Sequence, residues 1–291
     1  MISDMSNSKR SISGARLAAV AIDLDGTALR GDSTMSERTV AALRSCADAG
    51  IAVLLCTGRS PVAAEPFRSS IGATGPMVFY NGAAVIDGGK GTVLAATLLA
   101  ADVCAYCVEI ARERDVHFHG FLPGDRLVYE RERPETEKYR KRTGLRGEIL
   151  DLRALFERGG AGANGLIKGM FIAEGSILDR IQAALDERFG GRIYRAKSDP
   201  TFLEVMAAGV SKGAALGVAL SLRGIEREAT IAFGDAENDM PLLRAAGFGV
   251  AVANAAQAVR NAADDVAPSN EEDGVAVYLE RLLADRGAAG L

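Results

Sequence analysis

The sequence predicts an α/β fold, a doubly wound parallel sheet carrying an inserted α+β cap domain, and three observations carry this. Short apolar runs alternate with amphipathic stretches from residue 17 to about residue 82, and the alternation returns from Ser211 onward, as repeated strand–helix units require. Between these two parts the texture changes to paired strands, glycine turns and interspersed helices, the pattern of a small antiparallel unit. Polar residues gather where the apolar runs end, and ligands of open α/β sheets bind outside the carboxyl ends of strands.

Leu17 to Ile22 holds no polar residue and is too short for a helix, so it reads as a strand buried on both faces. It runs into Asp23-Leu24-Asp25-Gly26-Thr27. If extended geometry persists, the two-residue spacing points Asp23 and Asp25 to the same side. Two acids so close repel unless a cation lies between them or one keeps its proton. Gly26 lets the backbone swing away, and Thr27 can hydrogen-bond the loop. The plainer reading is a strand end followed by an Asp-Gly turn.

Ser36 to Ala49 follows as a helix with Ser36 as N-cap and Gly50 as its stop. Ile51 to Cys56 is the next strand, ending in Thr57-Gly58-Arg59, and Ser60-Pro61 opens a helix to about Ser70. Pro76 to Tyr80 is a third strand, before Asn81-Gly82. Ala83 to Ile86 and Thr92 to Thr97 then pair across a glycine turn that lacks the spacing of a phosphate loop. A helix over about 100–114 precedes a hairpin of Val116 to Phe121 with Arg126 to Glu130. Short helices over 134–143 and 151–158, a strand over 166–173, a helix over 176–189 and strands over 192–196 and 202–206 complete the insertion. Helix 212–222, strand 229–233, loop 234–239, helix 240–246, strand 248–252, helix 257–262, strand 265–267 and a last helix over 271–284 restore the first pattern. The expected organisation is a mobile tail over 1–16, a core domain over 17–85 and 198–291, and the inserted cap over 86–197.

A charged fraction of 25% beside 48% hydrophobic residues is that of a globular chain, and a net charge of −4 gives no reason to expect nucleic acid. Residues 1–16 lack the apolar segment of a signal peptide. No apolar stretch reaches the roughly 20 residues that span a bilayer. A cytoplasmic protein, monomer or homodimer, is expected. Cys46, Cys56, Cys104 and Cys107 suit a reducing compartment. Cys104-Ala-Tyr-Cys107 has the form of a redox or zinc motif, but no second ligand pair accompanies it, so buried thiols are expected.

Four strand or helix ends offer polar residues: Asp23 with Asp25, Thr57-Gly58-Arg59, Lys212, and Asp235 with Asn238 and Asp239. In a doubly wound sheet these converge on one crevice, and the carboxylates make an oxygen-rich site suited to Mg²⁺. Taken singly each has a plain reading: Thr57 a helix cap, Lys212 a solvated residue, Asp235 a turn former, and Arg59 a bridge to a core carboxylate.

Together these segments resemble the haloacid dehalogenase superfamily. Asp23-Leu24-Asp25-Gly26-Thr27 looks like its first motif, Thr57 its second, Lys212 its third, and Gly234-Asp235 with Asn238-Asp239 its fourth. Asn81-Gly82-Ala83 and Gly209-Val210-Ser211-Lys212-Gly213, with over 100 residues between Thr57 and Lys212, look like the Cof-type branch with its α/β cap on a Rossmann-like core. The resemblance implies that Asp23 attacks phosphorus and that Asp25 serves as general acid and base. It also implies a Mg²⁺ ion on Asp23, Asp235 and the Asp25 carbonyl. Thr57, the Gly58 amide, Lys212 and Asn238 would bind the phosphoryl group, with Asp239 orienting Lys212 or a metal-bound water. Ala236 stands where many relatives have glycine, which removes no ligand.

The implied activity is hydrolysis of small phosphorylated metabolites, such as sugar phosphates, with the cap closing over the crevice and choosing the substrate. A phosphomutase, a disaccharide-phosphate phosphatase or a non-catalytic phosphometabolite sensor are the alternatives. The insertion excludes a compact receiver domain. In the cap, the basic run from Arg126 to Arg146 is interleaved with glutamates and reads as a solvated face. His117 and His119 share one face of a strand and read as hairpin surface residues.

Overall fold

The structure is a computed structural model in which residues 17–157 and 164–289 are described. The tail expected over 1–16 lies outside the described residues. Contacts divide the chain into two units. One holds the chain up to Thr57, Pro66–Val78 and Ser211 onward, and the other holds Gly58–Glu65 and Phe79–Val210.

The first unit is built on β1 (Ala19–Ile22), β2 (Ala52–Leu55), β12 (Thr230–Gly234), β13 (Phe248–Val252) and β14 (Asp265–Ala267), in spatial order β14-β13-β12-β1-β2. All neighbours are parallel. β3 (Pro76–Phe79) follows β2 through a parallel bridge between Cys56 and Val78. β1 lies centrally, which explains why Ala19 to Ile22 are all buried and read as an unbroken apolar run. Helices α1 (Glu37–Asp48), α7 (Lys212–Arg223), α8 (Met240–Ala245), α9 (Gln257–Ala262) and α10 (Gly274–Ala289) belong to this unit, and α2 (Pro61–Ile71) runs across the Glu65–Pro66 division. Ser36 caps α1 by accepting from the Thr39 amide, as its sequence suggests. The last helix starts later than expected. Ser269 and Glu272 close a capping box on a short 3₁₀ turn, and Asp273 at φ 56° breaks the path before Gly274.

The second unit holds β4 (Ala84–Asp87) with antiparallel β5 (Val93–Ala96), and a six-stranded sheet. Its strands are β6 (His117–Leu122), β7 (Arg126–Tyr129), β8 (Glu148–Ile149), β9 (Lys168–Ile172), β10 (Ile193–Asp199) and β11 (Phe202–Ala207), in order β10-β11-β9-β6-β7-β8. Pairing is antiparallel except for β7 with the two-residue β8, which the sequence does not announce. One sheet face, with Phe118, Leu122, Phe171, Leu203 and Val205, packs in one core with residues of α3 (Ala101–Glu113) and α6 (Gly175–Phe189). The strand period of two sends His119, Phe121, Lys168, Met170 and Glu204 to the opposite face. Helices α4 (Pro134–Thr143) and α5 (Leu152–Phe156) complete the unit.

That opposite face corrects the placing of the histidines. His117 and His119 are buried, 2% and 1% exposed, rather than on the hairpin surface. Thr136 Oγ1 of α4 stands 3.3 Å from His117 Nδ1, and the Tyr139 ring lies 4.5 Å from that of His119. The basic cap residues are largely paired: Arg126 with Glu148, Arg131 and Arg133 with Asp115, and Arg140 and Lys141 with Glu137. The four cysteines are free and buried. No helix among the described residues is long and apolar enough to cross a membrane.

Candidate active site

The site of the first unit forms where parallel strands stop. β1 ends at Ile22, and the Asp23 amide still donates to the Phe233 carbonyl of β12. Extended geometry does not persist to Asp25. A turn begins at Leu24, whose carbonyl accepts from Thr27 and Leu29, so Asp23 is buried while Asp25 is exposed. The same-side expectation for the two carboxylates therefore has no strand behind it. Gly26 makes the turn possible: its φ is +80°, and a Cβ would stand 2.5 Å from Asp235 Oδ2. Asn254 Nδ2 donates to the Gly26 carbonyl at 2.8 Å, and Thr27 Oγ1 donates to Asp235 Oδ1 at 2.7 Å.

Lys212 opens α7 behind its N-cap Ser211, which accepts from the Ala214 amide. Its ammonium is buried and donates to Asp23 Oδ1 at 2.7 Å and to Asp239 Oδ1 at 2.6 Å. Asp239 Oδ2 accepts from the amides of Asp235 and Ala236, so this carboxylate ties the lysine to the loop after β12. Ala236 has φ −108°, an ordinary extended value that needs no glycine. Asn238, half-buried, lies in the short 3₁₀ turn Glu237–Asp239. Thr57 is fully buried just beyond β2, its amide donating to Val78. Cys56, the residue before it, donates its amide to Ile22 of β1. Gly58 falls in the second unit, as does Arg59, which donates to the Ala63 carbonyl.

The electrostatics favour a cation. Oxygen atoms of Asp23, Asp235 and Asp239 lie within 4.8 Å of one another, three carboxylates against one buried ammonium. Burial and then Asp239 push the Asp23 carboxyl well above the usual range, against the pull of Lys212. Burial raises Asp235 to about 6, although the Thr27 hydroxyl favours its charged form. Burial works against the charge on Lys212, but Asp23 and Asp239 outweigh it and raise its pKa. Carboxylates that are costly to ionise together, on hard oxygen donors, fit a divalent metal ion.

A parallel sheet whose central strand ends in a lysine-held carboxylate, beside two more carboxylates, is an α/β fold with an acidic site at its sheet edge. Residues 20–279 match the haloacid dehalogenase-like hydrolase family, and the chain belongs to it, among the Cof-type phosphatases. It is similar to the HMP-PP phosphatase of Serratia proteamaculans, 29% identical over 270 residues that cover 92% of this chain and 95% of the relative. It is 30% identical over 271 residues to the Bacillus subtilis 5-amino-6-(5-phospho-D-ribitylamino)uracil phosphatase YitU, covering 91% and 97%. A solved haloacid dehalogenase-like hydrolase from Bacteroides thetaiotaomicron superposes with a TM-score of 0.82 at 27% identity, over 91% of this chain and 99% of the other.

Proposed function

We propose that the chain is a Mg²⁺-dependent phosphomonoester hydrolase that acts on small phosphorylated metabolites through an aspartyl-phosphate on Asp23. The observation that carries this reading is Asp23 itself, held by Lys212 at 2.7 Å at the end of the central strand, beside Asp235 and Asp239. The Asp23 carboxylate attacks phosphorus and the bond to the leaving oxygen breaks, which divides one hard displacement into two easier ones. Asp25, exposed on the turn, gives the leaving alcohol its proton and takes one from the water that hydrolyses the intermediate. Thr57, the Gly58 amide, Lys212 and Asn238 bind the phosphoryl oxygens and offset the charge that develops there. Asp239 orients Lys212. Mg²⁺ on the Asp23 and Asp235 side chains and the Asp25 carbonyl would supply positive charge against the repulsion between carboxylate and phosphate.

The two named relatives carry different phosphorylated substrates in their names, so they support a substrate class for this chain rather than one compound. The free buried cysteines agree with a cytoplasmic setting. The test is phosphate release from a panel of phosphorylated metabolites, with and without Mg²⁺, by the wild-type chain and by Asp23→Asn. Metal-dependent turnover that vanishes in the variant is expected. Full activity in Asp23→Asn would remove the nucleophile from the scheme, and a folded wild type inert on every compound would favour a sensor.

A further inference from the structure

Gly58, the residue that follows Thr57, is held by groups far along the chain. Gly58, Asn81, Lys168 and Glu204 all belong to the second unit. Glu204 divides its two oxygens between two partners: Oε1 accepts from Lys168 Nζ at 3.1 Å, and Oε2 accepts from Asn81 Nδ2 at 2.9 Å. Lys168 Nζ also donates to the Gly58 carbonyl at 3.4 Å. The Asn81 amide packs so tightly on Gly58 that a Cβ there would stand 2.8 Å from Asn81 Oδ1.

The pair is deeply buried, with the side chains of Lys168 and Glu204 4% and 5% exposed. The rings of Tyr80 and Phe121 lie 5.8 and 5.5 Å from the Lys168 ammonium. Tyr80 and Asn81 both take positive φ, 53° and 57°, a conformation that persists only where the surroundings over-determine it. A buried ion pair is weak evidence for stability, because packed apolar side chains often do as well. What distinguishes this pair is its aim at a single backbone residue.

We propose that Lys168, Glu204 and Asn81 are positioning residues for phosphate binding: they fix the residue Gly58 and with it the turn that Thr57 opens. The proposal rests on the phosphatase reading above. A glycine has no Cβ to limit its rotation. Lys168 on its carbonyl and Asn81 against its Cα supply that limit on one side, the Thr57 amide donating to the Val78 carbonyl anchors the other, and the Gly58 N–H between them is held. None of the three residues needs to touch the substrate.

The experiment is calorimetric binding of inorganic phosphate to the Mg²⁺-loaded protein, together with steady-state hydrolysis of a phosphomonoester. Lys168→Met with Glu204→Leu removes both charges at once and strands neither. In this folded double variant, phosphate affinity should weaken and KM rise by about tenfold or more, since small misplacements of binding groups are costly. Mg²⁺ affinity should stay unchanged, and Lys168→Arg, which keeps the charge and the donors, should recover part of the loss. A folded double variant that binds phosphate within about twofold of wild type overturns the proposal. Should it fail to fold, Asn81→Gly, which suits the positive φ and leaves the ion pair intact, decides by the same threshold. Wild type that hydrolyses while the variants match it overturns the positioning alone. Wild type that neither binds phosphate nor hydrolyses any compound overturns the phosphatase reading and this proposal with it.

Discussion

Lys212 keeps a charge at 2% exposure because Asp23 and Asp239 stand 2.7 and 2.6 Å from its ammonium. Removing the charge while leaving the carboxylates strands them in the interior. Lys212→Met should therefore lower the stability of the metal-free protein by roughly 3–5 kcal/mol in urea denaturation, and should abolish measurable phosphate release. At this scale the sequence was informative about which residues gather. Asp23 and Asp235 each follow an apolar run and Lys212 opens a helix, and their proximity is that of strand and helix ends along a parallel sheet. The local path of Asp25 was not legible, because whether a strand continues past its last apolar residue depends on the turn that Gly26 permits. Asn254, which holds that turn through the Gly26 carbonyl, lies 228 residues away in sequence and carries no local signal.

Among elements, the turn after β1 depends on Gly26 twice over, for its positive φ and for the space Asp235 occupies. Gly26→Ala should cost about 1–2 kcal/mol from backbone strain and displace Asp235. Mg²⁺ titration of the variant should show the weaker binding beside a modest loss in melting temperature. β6 makes a second prediction, about pH. Burial lowers the His117 pKa to about 4, and burial with the neighbouring His117 and Lys168 charges lowers His119 well below the usual value. The unfolded chain, with imidazoles near 6.5, binds more protons than the folded one below that pH, so stability is complete above 6.5 and falls toward pH 4. Each histidine contributes about 1.4 kcal/mol per pH unit within the window. Urea midpoints measured from pH 7 to 4.5 should fall accordingly, and His119→Leu should flatten the slope.

The burial of the two histidines was hard to read because their cover, α4, is a charged helix whose buried residues are only Thr136 and Tyr139. A lone tyrosine in such a helix is the available clue. Lys168 and Glu204 had a clearer one: each is a single charge inside an otherwise apolar strand, and the two charges are opposite. Strand and helix order across both units was legible because the hydrophobic period changes cleanly from one element to the next. The two-residue β8 and the late start of α10 depend on pairing and capping that a period does not encode.

For the whole molecule, chain order and contact order disagree. The chain passes between the units after Thr57, Glu65, Val78 and Val210, and β1 pairs with β12 across the entire second unit. Long-range parallel pairing is slow, since the loop must close before the contacts form. Pulse-labelled hydrogen exchange during refolding should thus protect amides of α3, α6 and β9 before those of β1, and the reverse order would show that the central sheet nucleates first. The division into alternating and antiparallel stretches was visible in the sequence. The assignment of Gly58–Glu65 to the second unit was not, because it depends on side chains such as Asp125, which accepts from the Val62 amide.

The separation of 189 residues between Asp23 and Lys212 also sets a clock. On a ribosome adding roughly 5–20 residues per second, the aspartate emerges about 10–40 s before the lysine that holds it. Through that interval β1 lacks its β12 neighbour, and its apolar backbone edge is open to any passing strand. A nascent-chain chaperone therefore has its natural target in β1, whose four residues all end buried.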